Sequence, residues 1–232
     1  MAEGEEDRPK ERREAPIWDR ATRIFHWVLV VLVVVCYLSG RNGRFDIHIP
    51  AGQALLVLVA ARILWGFAGS ASSRFRAFIR PVREIAAYLP TVLRREPDGR
   101  AGHNPLGGLS VAAMLLVLAL QASLGLFAVD VDGLYDGPLS FLVSYDAARE
   151  AAELHAMVVD AILILVGLHL AAVLFHLLYK RENLTRAMLT GRGRLAEGQT
   201  PPRIVSDWRA LLVLALAAAA VLGGIEIAAR VF

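Results

Sequence analysis

Five apolar blocks constrain this chain more than any other feature: Ile24–Gly40, His48–Phe67, Leu106–Val129, Leu154–Tyr179 and Leu211–Ala229. They run 17, 20, 24, 26 and 19 residues. A helix crossing the hydrocarbon of a bilayer needs roughly 20 apolar residues, within a range of about 17–25. Each block therefore reads as a membrane-spanning helix. The composition agrees, with 56% apolar residues, 20% charged and a mean hydropathy of +0.49, against about 45–50% apolar and about 25% charged in soluble domains. A soluble globular enzyme and a disordered chain are excluded. So is a β-barrel, because no segment alternates with period two over about 10 residues. The single cysteine, Cys36, lies inside the first block, which removes a disulfide framework, and no Cys-x-x-Cys-His motif offers covalent haem attachment.

The arginines set the expected topology. Six Lys/Arg precede the first block, seven lie between Arg74 and Arg100, and seven between Lys180 and Arg209. The alternate segments hold only Arg41 and Arg44, Arg149, and Arg230, so the split is twenty against four, with Arg62 inside the second block. Short cytoplasmic loops carry the Lys/Arg excess, which predicts an N-terminus on the inner side of the membrane and a C-terminus on the outer side. The third loop is acidic (Asp130, Asp132, Asp136, Asp146, Glu150, Glu153) and is expected outside. The first block is too long for the core of a signal peptide, and no small-x-small cleavage site follows Gly40. Residues 1–15 are a mixed-charge run without apolar periodicity, expected as a solvated arm. Residues 70–104 set Phe75, Phe78, Ile79, Ile85, Tyr88 and Leu89 among arginines, a pattern for one or two interfacial helices broken by Pro81, Pro90 and Pro97.

Of six histidines, five lie in or at the ends of apolar blocks: His26, His48, His155, His169 and His176. Ionisable residues at membrane depth are costly and mark functional sites. His26 sits near the inner end of the first helix. His48 opens the second helix near the outer face, and His155 opens the fourth at the same level. His169 follows His155 by 14 residues, close to four turns, so both project from nearly one face about 21 Å apart along the axis. One helix thus offers a ligand to an outer site, which His48 completes, and to an inner site near His26. Two stacked bis-histidine sites in a helix bundle suit two non-covalent haems b. Zinc suits them less, since it takes four ligands. Gly52, Gly125 and Gly167 stand where a wide porphyrin needs small neighbours, although glycine also serves plain helix packing. Spacing leaves His169 and His176 both open as the partner of His26. His103, at the inner start of the third helix, either touches a propionate or quinone head or caps the helix. Asp160 and Gln121 are polar at membrane depth, as quinone-site or packing residues. Arg23, Arg41 and Arg44 are placed to pair haem propionates or simply to snorkel.

The segment Trp18-Asp19-x-x-x-Arg23-x-x-His26-Trp27 resembles the opening of bacterial diheme cytochromes of the cytochrome b561 type, including the b-type cytochrome subunits of nickel–iron hydrogenases. Gly102-His103-Asn104-Pro105-Leu106-Gly107 resembles the start of their third helix. His155, His169 and His176, followed by Glu182-Asn183-Leu184-x-Arg186-Ala187-Met188, resemble their fourth helix and its exit. The resemblance covers about residues 16–192. It implies an all-α membrane protein: a four-helix transmembrane bundle holding two haems, with His26 and His169 on the inner haem and His48 and His155 on the outer. The fifth block, after this unit, is a departure from relatives that stop at four helices, and it either braces the bundle or docks a partner. The expected domains are the arm at 1–15, the diheme unit at 16–192, and a linker with the fifth helix at 193–232.

The function that the resemblance implies is electron transfer across the membrane between a quinone and an extracytoplasmic partner, a hydrogenase or a c-type cytochrome. In this reading the chain is an electron-transfer subunit rather than a stand-alone enzyme. Other family members oxidise superoxide and reduce quinone alone; the acidic outer loop opposes attraction of an anion. From another class, a non-redox membrane protein could use the histidines for metal or protons.

Overall fold

The structure is a computed structural model and describes residues 13–95, 102–130, 134–196 and 198–232. In chain order the elements are β1 (Arg13–Pro16), α1 (Arg20–Arg41), α2 (Phe45–Ala68), α3 (Phe75–Phe78), α4 (Val82–Tyr88), α5 (Pro105–Phe127), α6 (Tyr145–Leu178), α7 (Leu184–Thr190), β2 (Arg192–Leu195) and α8 (Asp207–Val231). Five of them, α1, α2, α5, α6 and α8, are long and apolar enough to cross a membrane. The chain is an all-α multi-pass membrane protein; three expected blocks lie within one helix each, while Leu106–Val129 runs two residues past the end of α5 and Leu154–Tyr179 one residue past the end of α6.

Local signals start the helices. The Asp19 carboxylate accepts from the Thr22 amide at 2.6 Å and caps α1. Asn104 caps α5 through the Gly107 amide at 2.7 Å, with Pro105 at the first helical position, where its fixed φ suits the helix. Ser144 caps α6 at the Ala147 amide, ten residues ahead of the apolar block. The added turns are rich in alanine, a strong helix former, and Arg149 pairs with Glu153 one turn on at 3.1 Å. At 34 residues α6 is about 51 Å long, well beyond the roughly 30 Å hydrocarbon core, so its first turns stand outside the apolar layer.

α2 is the centre of the bundle. It packs against α1, α5 and α8, while α6 packs against α5. A tight turn at Asn42–Arg44, with Gly43 at φ +65°, folds α2 back along α1. Leu55, Val59 and Leu118 form the core between α2 and α5, with Leu29, Val33 and Ile162 against them. Neither α1 nor α2 packs along α6 beyond isolated contacts, which leaves a gap between them. The fifth helix lies on α2, where Ala217 is buried with Val57 and Ala61. A Cβ placed at Gly223 or Gly224 would meet nothing within 4 Å, so these two glycines do not mediate that contact.

The helix ends near the N-terminus are tied by a small polar and aromatic layer. β1 and β2 pair antiparallel, with Arg13 opposite Leu195 and Pro16 opposite Arg192, and Ala15, Ile17, Trp18 and Leu195 bury together. The expected arm at 1–15 lies outside the described residues up to residue 12, and its last three residues are strand. β2 likewise straddles the boundary expected at 192/193, because its partner strand belongs to the N-terminal segment. Gly191, at φ +79°, ends α7 and accepts from the Ile17 amide at 2.8 Å; a Cβ there would meet the Trp18 carbonyl oxygen at 2.8 Å. The segment 70–104 forms α3 and α4, with Pro81 at the start of α4 and Pro90 in the turn after it; Pro97 lies outside the described residues.

Candidate functional site

The four expected ligand histidines come together as two pairs. His26 of α1 and His169 of α6 have ring centroids 6.3 Å apart. His48 of α2 and His155 of α6 lie 5.9 Å apart. The 14-residue interval on α6 separates the two pairs by about 21 Å along its axis. Both pairs span the gap that α6 leaves against α1 and α2.

The His48–His155 pair is held from behind by backbone. Nδ1 of His48 donates to the Cys36 carbonyl at 2.8 Å, and Nδ1 of His155 donates to the Gln121 carbonyl at 2.9 Å. A carbonyl only accepts, so each proton sits on Nδ1 and each Nε2 keeps its lone pair. This is the arrangement in which metal-ligating histidines are usually oriented. Two glycines make room for the rings. A Cβ on Gly40 would meet the His48 ring at 3.1 Å, and one on Gly125 would meet Cε1 of His155 at 2.9 Å. Gly52 and Gly167 face open space instead, with nothing within 4 Å of a Cβ.

These residues fit a haem. The facing rings, with centroids 6.3 and 5.9 Å apart, would let each pair supply two imidazole nitrogens to one haem iron. At the other pair, Nδ1 of His26 is buried without a hydrogen-bond partner. Among the described residues no three His, Cys, Asp or Glu side chains converge, so the donor set favours two-ligand haem over four-ligand zinc.

His176 is placed differently. It is buried, its Nδ1 donates to the Ala172 carbonyl at 2.9 Å, and its Nε2 lies 3.4 Å from the Asn104 amide nitrogen. It ties α6 to the start of α5. His103 packs its ring on Trp18 at 4.7 Å and Phe78 at 5.2 Å, and its Nδ1 is buried and unpartnered. Burial, with Arg62, His169 and His26 in electrostatic reach, pushes its imidazole down to about 3, so it is neutral at ordinary pH. Asn104, not His103, caps α5.

The arginines singled out by sequence divide. Arg44 is engaged by Asp46 through two bonds of 3.0 and 2.9 Å, and Arg41 is exposed. Arg23 donates to the Leu189 carbonyl at 2.6 Å, and Trp27 donates to the Met188 carbonyl at 3.4 Å, both tying α1 to α7. Asp19, besides capping α1, accepts from Ser73 at 2.8 Å. The motif around His26 therefore fixes the helix end that carries that histidine. Gln121 sits at the His48–His155 level with its Oε1 buried and unpartnered; Asp160 is exposed. Sequence reasoning passed over Arg62, which is 3% exposed. The signal was present: an arginine inside an apolar block, 14 residues after His48.

Helices crossing a membrane, with two facing histidine pairs stacked along one of them, define the class: a b-type cytochrome of the all-α membrane kind. The model of the prokaryotic cytochrome b561 family matches residues 17–191, and the chain belongs to that family. It is 27% identical to a probable Ni/Fe-hydrogenase B-type cytochrome subunit of Bradyrhizobium diazoefficiens, over 75% of this chain and 84% of the relative. A protein of the same description from Rhizobium leguminosarum bv. viciae is 22% identical over 78% of this chain and 89% of its own length. A probable Ni/Fe-hydrogenase 1 B-type cytochrome subunit of Escherichia coli K12 is 29% identical over 44% of this chain and 54% of its own length. No solved structure gives a significant match. The family match ends before α8.

Proposed function

We propose that this protein is a diheme electron-transfer subunit that connects a quinone in the membrane with an extracytoplasmic redox protein. The observation that carries the reading is the two histidine pairs at two depths, linked by one helix. His26 and His169 hold one haem b, and His48 and His155 hold the other. When bound, haem b supplies one-electron exchange at each site. The protein's part is to hold the imidazoles oriented: the Cys36 and Gln121 carbonyls accept from Nδ1 of His48 and His155.

The Lys/Arg split of twenty against four supports a cytoplasmic N-terminus, which puts the His26–His169 site on the cytoplasmic side. The descriptions of the relatives from Bradyrhizobium and Rhizobium support a hydrogenase as the outer partner. The projecting start of α6, with Asp146, Glu150 and Glu153, lies on the outer side in this orientation.

The test is spectroscopic. Membranes containing the chain are reduced and oxidised and the visible difference spectrum recorded; pyridine haemochrome analysis then counts the haem, and acid–acetone extraction tests its attachment. The expected result is about two extractable haems b per chain. No haem bands, or a single haem, would count against the reading.

A further inference from the structure

α2 repeats the spacing of α6. His48 and Arg62 on α2 are 14 residues apart, as are His155 and His169 on α6, and the two helices run in the same direction. Fourteen residues are nearly four turns. The face of α2 that gives His48 to one site therefore gives Arg62 to the level of the other, where the ligands come from α1 and α6.

Arg62 is sealed there. It is 3% exposed, its Nη1 has no hydrogen-bond partner, and among the described residues no carboxylate lies in salt-bridge reach. Phe25, Phe75 and Phe78 surround its guanidinium at 5.8, 6.0 and 5.8 Å. Aromatic faces attract a cation, but they do not accept a fork of N–H donors. Asp19, the buried acid nearby, has its oxygens taken by the Thr22 amide and by Ser73. On the other side of Phe78, the His103 ring brings a second buried and unpartnered nitrogen. A buried cation that has Asp19 in electrostatic reach but no hydrogen-bond acceptor, and an unpartnered imidazole nitrogen, share one wall beside His26 and His169. Buried polar groups are expected to be paired, and a guanidinium matches a carboxylate through two parallel bonds.

We propose that Arg62 and His103 form the carboxylate-binding end of the His26–His169 site and receive a propionate of the haem held there. Arg62 supplies the opposite charge and two donors, and His103 supplies a neutral N–H. This rests on the diheme reading above. Both residues are positioning residues: they hold and orient the haem and raise its potential, because a nearby cation stabilises the more electron-rich reduced form.

The experiment uses the full chain in membranes as wild type, Arg62→Gln and Arg62→Lys. Redox titration counts the components, and the component lost in His169→Ala identifies the haem at this end. Arg62→Gln is expected to lower the midpoint of that component alone, with the other as internal control; Arg62→Lys is expected to restore most of the shift. Infrared redox-difference spectra with haem labelled by ¹³C at its propionate carboxyls identify the anion: a label-sensitive carboxylate band is expected to move in Arg62→Gln. An unchanged midpoint with both haems present overturns the proposal. So does a band that moves but ignores the label, which assigns the site to another anion or a quinone oxygen. If Arg62→Gln does not accumulate, Arg62→Lys carries the test, since it keeps the charge and loses the fork; an unmoved labelled band then overturns the proposal. A wild type with one component or none instead overturns the diheme reading itself.

Discussion

Nδ1 of His155 donates to the backbone carbonyl of Gln121 at 2.9 Å, across the contact between α6 and α5. One turn further along α5, Gly125 admits the ring: a Cβ there would meet Cε1 at 2.9 Å and Nδ1 at 3.2 Å. The His155 imidazole is thus fixed in tautomer by one residue of α5 and in position by the next turn. Gly125→Leu is expected to push the ring out of register and to remove most of the haem at the His48–His155 site while sparing the other. Haem content per chain and the number of Nernstian components in a redox titration check this. Two unaltered components would mean that the ring does not depend on this glycine.

His169 and His176 share a helix face but not a role. His169 faces His26 across the gap, whereas both nitrogens of His176 are engaged near the α6–α5 contact. His169→Ala is expected to abolish one haem and keep the other. His176→Ala is expected to keep both, because its ring lies about 10 Å further along the helix. Redox titration of membranes carrying each variant decides it; the reverse pattern would assign the site to His176.

Five spans and the arginine distribution predict that the two termini lie on opposite sides. A reporter active only in the periplasm, fused after Phe232, is expected to be active. Activity confined to a cytoplasmic reporter at that position would mean that α8 does not cross, or that the whole bundle is inverted; a second fusion in the α5–α6 loop separates these.

Asp19 joins two functions in one buried side chain, the cap of α1 and the Ser73 contact that fixes the connection after α2. Loss of an N-cap typically costs about 1 kcal/mol, and up to about 2. Asp19→Ala is expected to lower the thermal midpoint of the protein in detergent and to loosen the haem at the nearer site, His26–His169. Asp19→Asn keeps the cap and is expected to recover most of the stability. Equal losses in both variants would mean that the charge rather than the cap matters.

α8 packs mainly on α2, with a smaller contact to α1 that includes the Arg20–Asp207 ion pair at 3.5 Å. Ala217 is 1% exposed against Val57 and Ala61, and inserting extra methylenes into such a contact costs about 1–3 kcal/mol. Ala217→Leu is expected to lower the detergent melting temperature by several degrees with both haems retained. Retention of the wild-type melting temperature would mean that α8 contributes nothing to the bundle.

What the sequence determined follows from short-range rules. The five spans are legible because a helix in lipid must present apolar residues over its own length. The pairing of levels is legible because helix rise makes 14 residues both a depth and a face, so His155 and His169 stand at two levels on one face. The caps at Asp19 and Asn104 and the breaks at Pro81 and Pro90 are equally local. The tertiary structure decided what depends on which faces meet. His169 rather than His176 faces His26 because His176, on the same face, lies about 10 Å further along α6 at the level of Asn104. α8 lies on α2 because Ala217 fits between Val57 and Ala61, a fit that alanine-rich sequence does not specify. Arg62 looked like one charge in an apolar run until α1 and α3 placed three phenylalanines around it. Whether a charge is solvated or buried without a partner is set by neighbours distant in the chain, and only their packing reveals it.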